Sequence, residues 1–231
     1  VCGRYSEAKL EAQLKKRFKI ARELGDVEPR YNIAPGQDGL VVLGGRERRL
    51  ARFRWGLVPG WASDPSVGNR MINARAETLS RRPAFEESFR KRRCLVPADG
   101  FYEWRKAAGL RVPLRFMLKG EELFAFAGLW DVWAPKSGPP LHTFTIITTT
   151  PNELVAPVHD RMPALVREED EELWLDSAVD DEAHLARVLA PYPADRMEAY
   201  EVSPRLNSPE NEGPSLVERS ASAVPKQMTL W

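Results

Sequence analysis

The 231-residue sequence predicts an α+β fold: an antiparallel, barrel-like sheet with flanking helices. Three observations lead there. Short strand-like segments rich in Phe, Ile, Leu and Thr dominate, as at residues 112–118, 123–130 and 142–149. Helical periodicity appears only in brief stretches between them. There is no βαβ rhythm, no internal repeat and no glycine-rich phosphate loop, so hairpins rather than crossovers are expected to build the sheet.

The elements follow in order. Leu10, Leu14 and Phe18, spaced by four, predict a helix, with Ser6 as its cap and Lys15, Lys16, Arg17 and Lys19 near its C-terminal end. Pro35-Gly36 stops the loop that begins at Tyr31. Residues 40–43 form a short strand, and Gly44-Gly45 a turn. Residues 49–58 alternate: Ala51, Phe53, Trp55 and Leu57 on one face, Arg52 and Arg54 on the other, as in a half-buried strand with a basic outer face. Pro59-Gly60-Trp61 ends that strand and puts Trp61 on a loop, where it either closes the core or stacks a nucleobase. Pro83 starts a short helix carrying Phe85 and Phe89. Cys94 to Trp104 reads strand, turn, strand. Glu103 lies between Tyr102 and Trp104, so it faces solvent if those aromatics face the core, and a site if the alternation is reversed. Pro151 opens a short helix, residues 168–176 and 180–190 form helices with acidic starts, and Glu198 to Val202 is the last strand. The domain is expected to span 1–213, with 214–231 a flexible tail.

Composition bounds the function. The chain is 43% hydrophobic and 29% charged, as expected of an ordinary globular protein, and no apolar run reaches the ~20 residues of a membrane span. Cys2 and Cys94 make no disulfide framework, and His142, His159 and His184 stand in no zinc-ligand spacing, so neither metal nor cofactor is expected. A reducing cytoplasm and a monomer fit. The net charge of +1 conceals an asymmetry. Residues 1–120 hold 26 Lys+Arg against 13 Asp+Glu, a net of +13, and residues 121–231 hold 8 against 20, a net of −12. Either the basic half meets a polyanion or the two halves pair with each other.

Cys2 carries the distinctive chemistry. Val1 is expected to be a GTG start codon read literally, with the initiator residue removed in the cell. Cys2 would then bear an α-amine and a thiol on adjacent carbons. Such an aminothiol condenses with an aldehyde to an imine, which the sulfur closes to a thiazolidine. Both groups have ordinary pKa values near 8, so the reactive forms are accessible near neutrality.

Six stretches together resemble one family. They are Cys2-Gly3-Arg4-Tyr5, Tyr31-Asn32-Ile33-Ala34-Pro35, Trp55-Gly56-Leu57-Val58-Pro59, Asn73-Ala74-Arg75-Ala76-Glu77, the run from Cys94 to Trp104, and His159-Asp160-Arg161-Met162-Pro163. In this order they are similar to the SRAP family, the SOS response-associated peptidase-like or abasic-site processing proteins, over residues 2 to about 213. The resemblance implies a β-barrel-centred fold with a positively charged channel for single-stranded DNA. It implies a catalytic set of Cys2, Asn73, Glu103 and His159, with Arg4, Arg75 and Arg161 on DNA phosphates. The implied activity is covalent capture of abasic sites, with weak lyase and autoproteolytic activity beside it. A cysteine peptidase and a non-covalent single-strand binder are the alternatives. Finally, Gln227, Met228, Leu230 and Trp231 resemble the short peptide by which bacterial repair proteins dock on the sliding clamp, which fits a place at the nucleoid.

Overall fold

A computed structural model describes residues 2–220 apart from 23, 26, 108 and the side chain of Ala107. Its strands, in order, are β1 (Tyr5–Glu7), β2 (Arg30–Ile33), β3 (Asp38–Leu43), β4 (Arg49–Trp55), β5 (Asn73–Arg75), β6 (Arg93–Ala98), β7 (Gly100–Ala107), β8 (Leu110–Leu118), β9 (Phe124–Trp133), β10 (Leu141–Thr149), β11 (Met162–Pro163), β12 (Leu165–Val166) and β13 (Met197–Glu201). Four α-helices punctuate them: α1 (Glu11–Phe18), α2 (Glu86–Lys91), α3 (Glu171–Leu175) and α4 (Glu182–Val188). No helix among the described residues is long and apolar enough to cross a membrane.

The expected α+β barrel is present. Strands β10, β4, β3, β6 and β9 are hydrogen-bonded in that order, and β9 pairs with β10 again, closing a five-membered ring. An odd ring cannot alternate direction throughout, so one neighbouring pair must be parallel. That pair is β4 and β10, with Thr143 opposite Arg54. A second, five-stranded sheet, in the order β13-β8-β7-β1-β2, packs against the barrel.

The continuous apolar runs follow from burial on both faces. One face of the barrel strands, with Val41, Phe53, Trp55, Val96, Phe126 and Phe144, shares a core with Tyr5, Phe101 and Phe116 of the second sheet. The opposite face, with Leu40, Val42, Leu95, Leu129 and Ile147, is covered by Leu14, Phe18, Phe89, Trp174 and Leu185. At roughly 25 cal/mol per Å² of apolar surface, each such side chain contributes about 1.5–3 kcal/mol. Gly39 lets the two sheets meet: a Cβ there would lie 2.2 Å from the Tyr5 hydroxyl.

Local expectations fail where long-range partners compete. Ser6 is not the cap of α1. It lies in β1, and its hydroxyl donates to Asp99 Oδ1 at 2.6 Å. Helix α1 begins after Leu10, whose amide donates to Gln13 Oε1 at 3.0 Å. Helix α2 starts at Glu86, past Pro83. Residues 153–158 form consecutive turns instead of the expected helix. The boundary expected at 213 falls within packed chain: Leu216 is fully buried, and the Tyr200 hydroxyl donates to the Val217 carbonyl at 2.7 Å. The clamp-like segment 227–231 lies outside the described residues, as does Val1.

Candidate functional site

The Asp99 turn sets the N-terminal segment in place. Its amide donates to the Ser6 carbonyl, its carboxylate accepts from Ser6 Oγ and from the Ala8 amide, and Arg115 approaches Oδ1 at 3.2 Å. Strand β1 therefore runs antiparallel to β7, with Tyr5 opposite Phe101. The pairing ends with the Tyr102 amide donating to the Arg4 carbonyl at 3.0 Å. Residues 2 and 3 then lie alongside Glu103.

Glu103 occupies the face of β7 that Phe101 uses, turned to the barrel, and is only 4% exposed. The opposite face, with Tyr102 and Trp104, is also covered, by Val202, Leu206 and Leu216. The question left open by alternation is thus answered: both faces are buried, and Glu103 is a buried carboxyl. Burial raises its pKa, and the neighbouring His159 opposes that rise. The Cys2 thiol is fully buried in the core shared by the two sheets. Burial pushes its pKa up and Glu103 adds to the rise, while the Arg4 amide, hydrogen-bonded to the sulfur, lowers it. The thiol therefore rests in its neutral form.

His159 arrives from the opposite side. Asn152 folds the turns before it: its side-chain oxygen accepts from the Leu154 and Val155 amides, and its amide nitrogen donates to the Tyr192 carbonyl at 2.7 Å. The Val155 carbonyl then accepts from the His159 amide at 3.0 Å. Nδ1 of His159 faces two groups at 3.0 Å: the Arg161 amide and an oxygen of Asp160. An amide can only donate, so the neutral ring accepts there and carries its proton on Nε2. The exposed Asp160 pairs with the ring only when Nδ1 is protonated.

The end of β10 gathers the remaining residues. It pairs in parallel with β5, Ile146 opposite Asn73 and Thr148 opposite Arg75. Nδ2 of Asn73 donates to the Ile146 carbonyl at 3.3 Å, and its buried Oδ1 has no hydrogen-bond partner among the described residues. Arg161 donates to the Thr148 carbonyl and pairs with both oxygens of Glu77, at 2.7 and 3.0 Å. Arg75 is exposed. Arg4 is buried: Nη1 donates to Asn32 Oδ1 at 2.7 Å and to the Leu206 carbonyl at 2.8 Å, and the guanidinium lies over the Trp104 ring.

A cleft of about 1010 Å³ opens over this arrangement, lined by Gly3, Arg4, Glu103, Trp104 and His159, among others. The structure thus brings Cys2, Arg4, Glu103 and His159 together. Asn73, Arg75 and Arg161 meet at the end of β10. Trp61 stands apart, 67% exposed on its loop and outside the cleft lining. Sequence reasoning passed over Asp99, Asn152 and Asn32, which position the others. Their signal was local: an Asp-Gly turn between two strands, and Asn before a run of turns. Among the described residues no group of three or more His, Cys, Asp or Glu is placed to hold a metal ion.

Comparison with known proteins matches this arrangement to a family. The family model described as SOS response associated peptidase (SRAP) matches residues 1–209. The abasic site processing protein YoqW of Bacillus subtilis is 46% identical, over 94% of this chain and 99% of that one. The chicken abasic site processing protein HMCES is 32% identical, over 88% of this chain and 70% of its own length. A crystal structure of a protein from Bacteroides thetaiotaomicron superposes with a TM-score of 0.86 at 29% identity, covering 95% of this chain and all of that one. On the sequence match across nearly its whole length, the chain belongs to the SRAP family.

Proposed function

We propose that the protein processes abasic sites in single-stranded DNA, capturing the ring-opened sugar on Cys2 as a thiazolidine. The observation that carries this reading is the buried Cys2 thiol beside Glu103, which faces His159 at the head of an open cleft. The names of the relatives support the substrate.

The reading requires residue 1 to be absent, so that Cys2 bears a free α-amine, which an intact mass measures. The amine attacks the C1′ aldehyde and a carbinolamine forms. A protonated His159 ring gives its Nε2 proton to the departing hydroxyl, water leaves, and the iminium N–H returns a proton to the ring, so that an imine remains. The sulfur then adds to the imine carbon. The thiol proton passes to Glu103 and on to the ring nitrogen, so the net reaction releases one water. Burial suits Glu103 to this work, because a raised pKa brings donor and acceptor forms closer to neutral pH. Oδ1 of Asn73 is available to accept from the amine or a sugar hydroxyl. Arg4, Arg75 and Arg161 hold flanking phosphates, and Trp61 stacks a base. Proton loss from C2′ of the imine, followed by departure of the 3′ phosphate, accounts for a weak lyase activity. Peptidase activity, to which the family description points, needs a Cys2 thiolate, and burial of the thiol works against it. Boiling the protein in detergent with abasic single-stranded DNA is expected to show a shifted band; its absence overturns covalent capture.

Glu103→Gln has two expected results. The adduct still forms but transfers to competitor DNA at least tenfold more slowly, because ring opening loses its proton carrier. Release at the wild-type rate would make Glu103 structural. The folded state also holds the Glu103 proton more tightly than the unfolded chain, so its contribution to stability falls as pH rises through the folded pKa. Glutamine removes that penalty. The variant should melt higher at pH 8, with the gain vanishing below about pH 4, where the carboxyl is protonated in both states.

For the C-terminus the reading is that Gln227, Met228, Leu230 and Trp231 dock on the sliding clamp, with the protein acting as a monomer at the bacterial nucleoid. Deleting residues 227–231 should abolish clamp binding and leave crosslinking and melting temperature unchanged. Lost thermal stability would assign the tail to the fold.

A further inference from the structure

Strand β7 continues past the end of β1. Beyond Tyr102, its edge on that side has no strand partner among the described residues, and the cleft runs along it. At the far end, Lys106 and Arg111 stand directly opposite each other in the antiparallel pairing of β7 with β8. Both are exposed and both line the cleft. Like charges at facing positions of a strand pair repel and destabilise the ladder. Neither side chain makes an ion pair among the described residues, whereas the adjacent Arg105 is neutralised by Glu201. Asp160 is the one exposed carboxylate in the lining, set against Lys106, Arg111 and the buried Arg4.

We propose that Lys106 and Arg111 form a phosphodiester clamp for the single strand leaving the site. The inference rests on the reading that a single strand occupies this cleft. Lys106 lies three positions along the strand from Glu103, about 10 Å, which suits a phosphate flanking the captured nucleotide rather than the lesion itself. An anion between the two cations turns their mutual repulsion into a binding determinant. A lysine and an arginine that hold phosphates track a backbone without reading bases, which an enzyme acting on a lesion in any sequence requires.

The test is equilibrium binding of an undamaged single-stranded oligonucleotide to the full chain across a salt series. It compares wild type, Lys106→Ala/Arg111→Ala and the charge-keeping Lys106→Arg/Arg111→Lys. The alanine pair should bind roughly tenfold more weakly at low salt. Its log–log salt slope should be shallower by about 1.4, two contacts at roughly 0.7 each. The charge-keeping pair should follow wild type. An unchanged slope in the alanine pair overturns the clamp. So does a polyglutamate peptide that binds wild type more tightly than DNA and is lost in the alanine pair, since the edge would then be a peptide site. A wild-type chain that binds DNA with these slopes yet forms no detergent-stable adduct keeps the clamp and fails only the capture reading.

Discussion

Cys2→Ala is expected to abolish the detergent-stable adduct with abasic DNA while leaving salt-sensitive binding intact. The methyl group keeps the α-amine but removes the ring-closing sulfur. The imine then reverts to aldehyde and amine or partitions to strand cleavage. Because Cys2 is fully buried, the substitution also removes packing, worth about 1 kcal/mol, too little to unfold the chain. Cys2→Ser separates the two steps. Its imine should be trapped by borohydride and lost without it, because an oxazolidine is a poor substitute for the sulfur ring. A full yield of boiled adduct from Cys2→Ala would place the nucleophile elsewhere. Cys94 is not equipped for it: it is buried in the core, and burial raises its thiol pKa.

Asn152→Ala is expected to slow crosslinking about a hundredfold, although Asn152 is a positioning residue. A shift of about 1 Å in a reacting group costs that much. Its side chain binds the Leu154 and Val155 amides and the Tyr192 carbonyl, and the Val155 carbonyl in turn holds the His159 amide. Alanine takes their partner from the Leu154 amide and the Tyr192 carbonyl, while the Val155 amide keeps the Asn152 backbone carbonyl at 3.2 Å; this costs about 2 kcal/mol of stability and lets the turn carrying His159 drift. Asn152→Asp retains an acceptor for the two amides and loses the bond to Tyr192, so it should recover much of the rate. The discriminating measurement is the crosslinking rate at saturating DNA, taken well below the melting temperature. A wild-type rate in a merely less stable Asn152→Ala protein would leave His159 positioned without it.

The charge asymmetry illustrates how far composition reaches. Both readings of it find support, at different residues. Arg17 and Arg48 of the basic half pair with Glu171 of the acidic half, each at 2.8 Å, and Arg30 pairs with Glu212. Arg93 is spent on backbone carbonyls, including those of Phe89 and Trp174. Those cations fasten the fold and offer nothing to DNA. Lys106, Arg111, Arg75 and the outer face of β4, with Arg52 and Arg54, remain exposed. Counting charges cannot separate the two sets, because a salt bridge across 154 positions leaves no local trace.

Strands were legible wherever hydropathy itself carried the signal. Arg52 and Arg54 in β4 alternate with buried Phe53 and Trp55, as period two requires, because water lies on one side. The motif order alone identified the family. In β7 the same logic fails: both faces are covered, hydropathy contrast disappears, and only the packing of the two sheets turned Glu103 toward Cys2. Ser6 was misassigned for a related reason, since a hydroxyl suited to capping the next helix found Asp99, 93 positions away, instead. The sequence by itself determined the long barrel strands, the turns that end them and the residue types available for chemistry. Closure of the barrel and the fastening of β1 to β7 decided which of them meet, because hydrogen bonds and burial between distant segments are properties of the assembled chain and of no window within it.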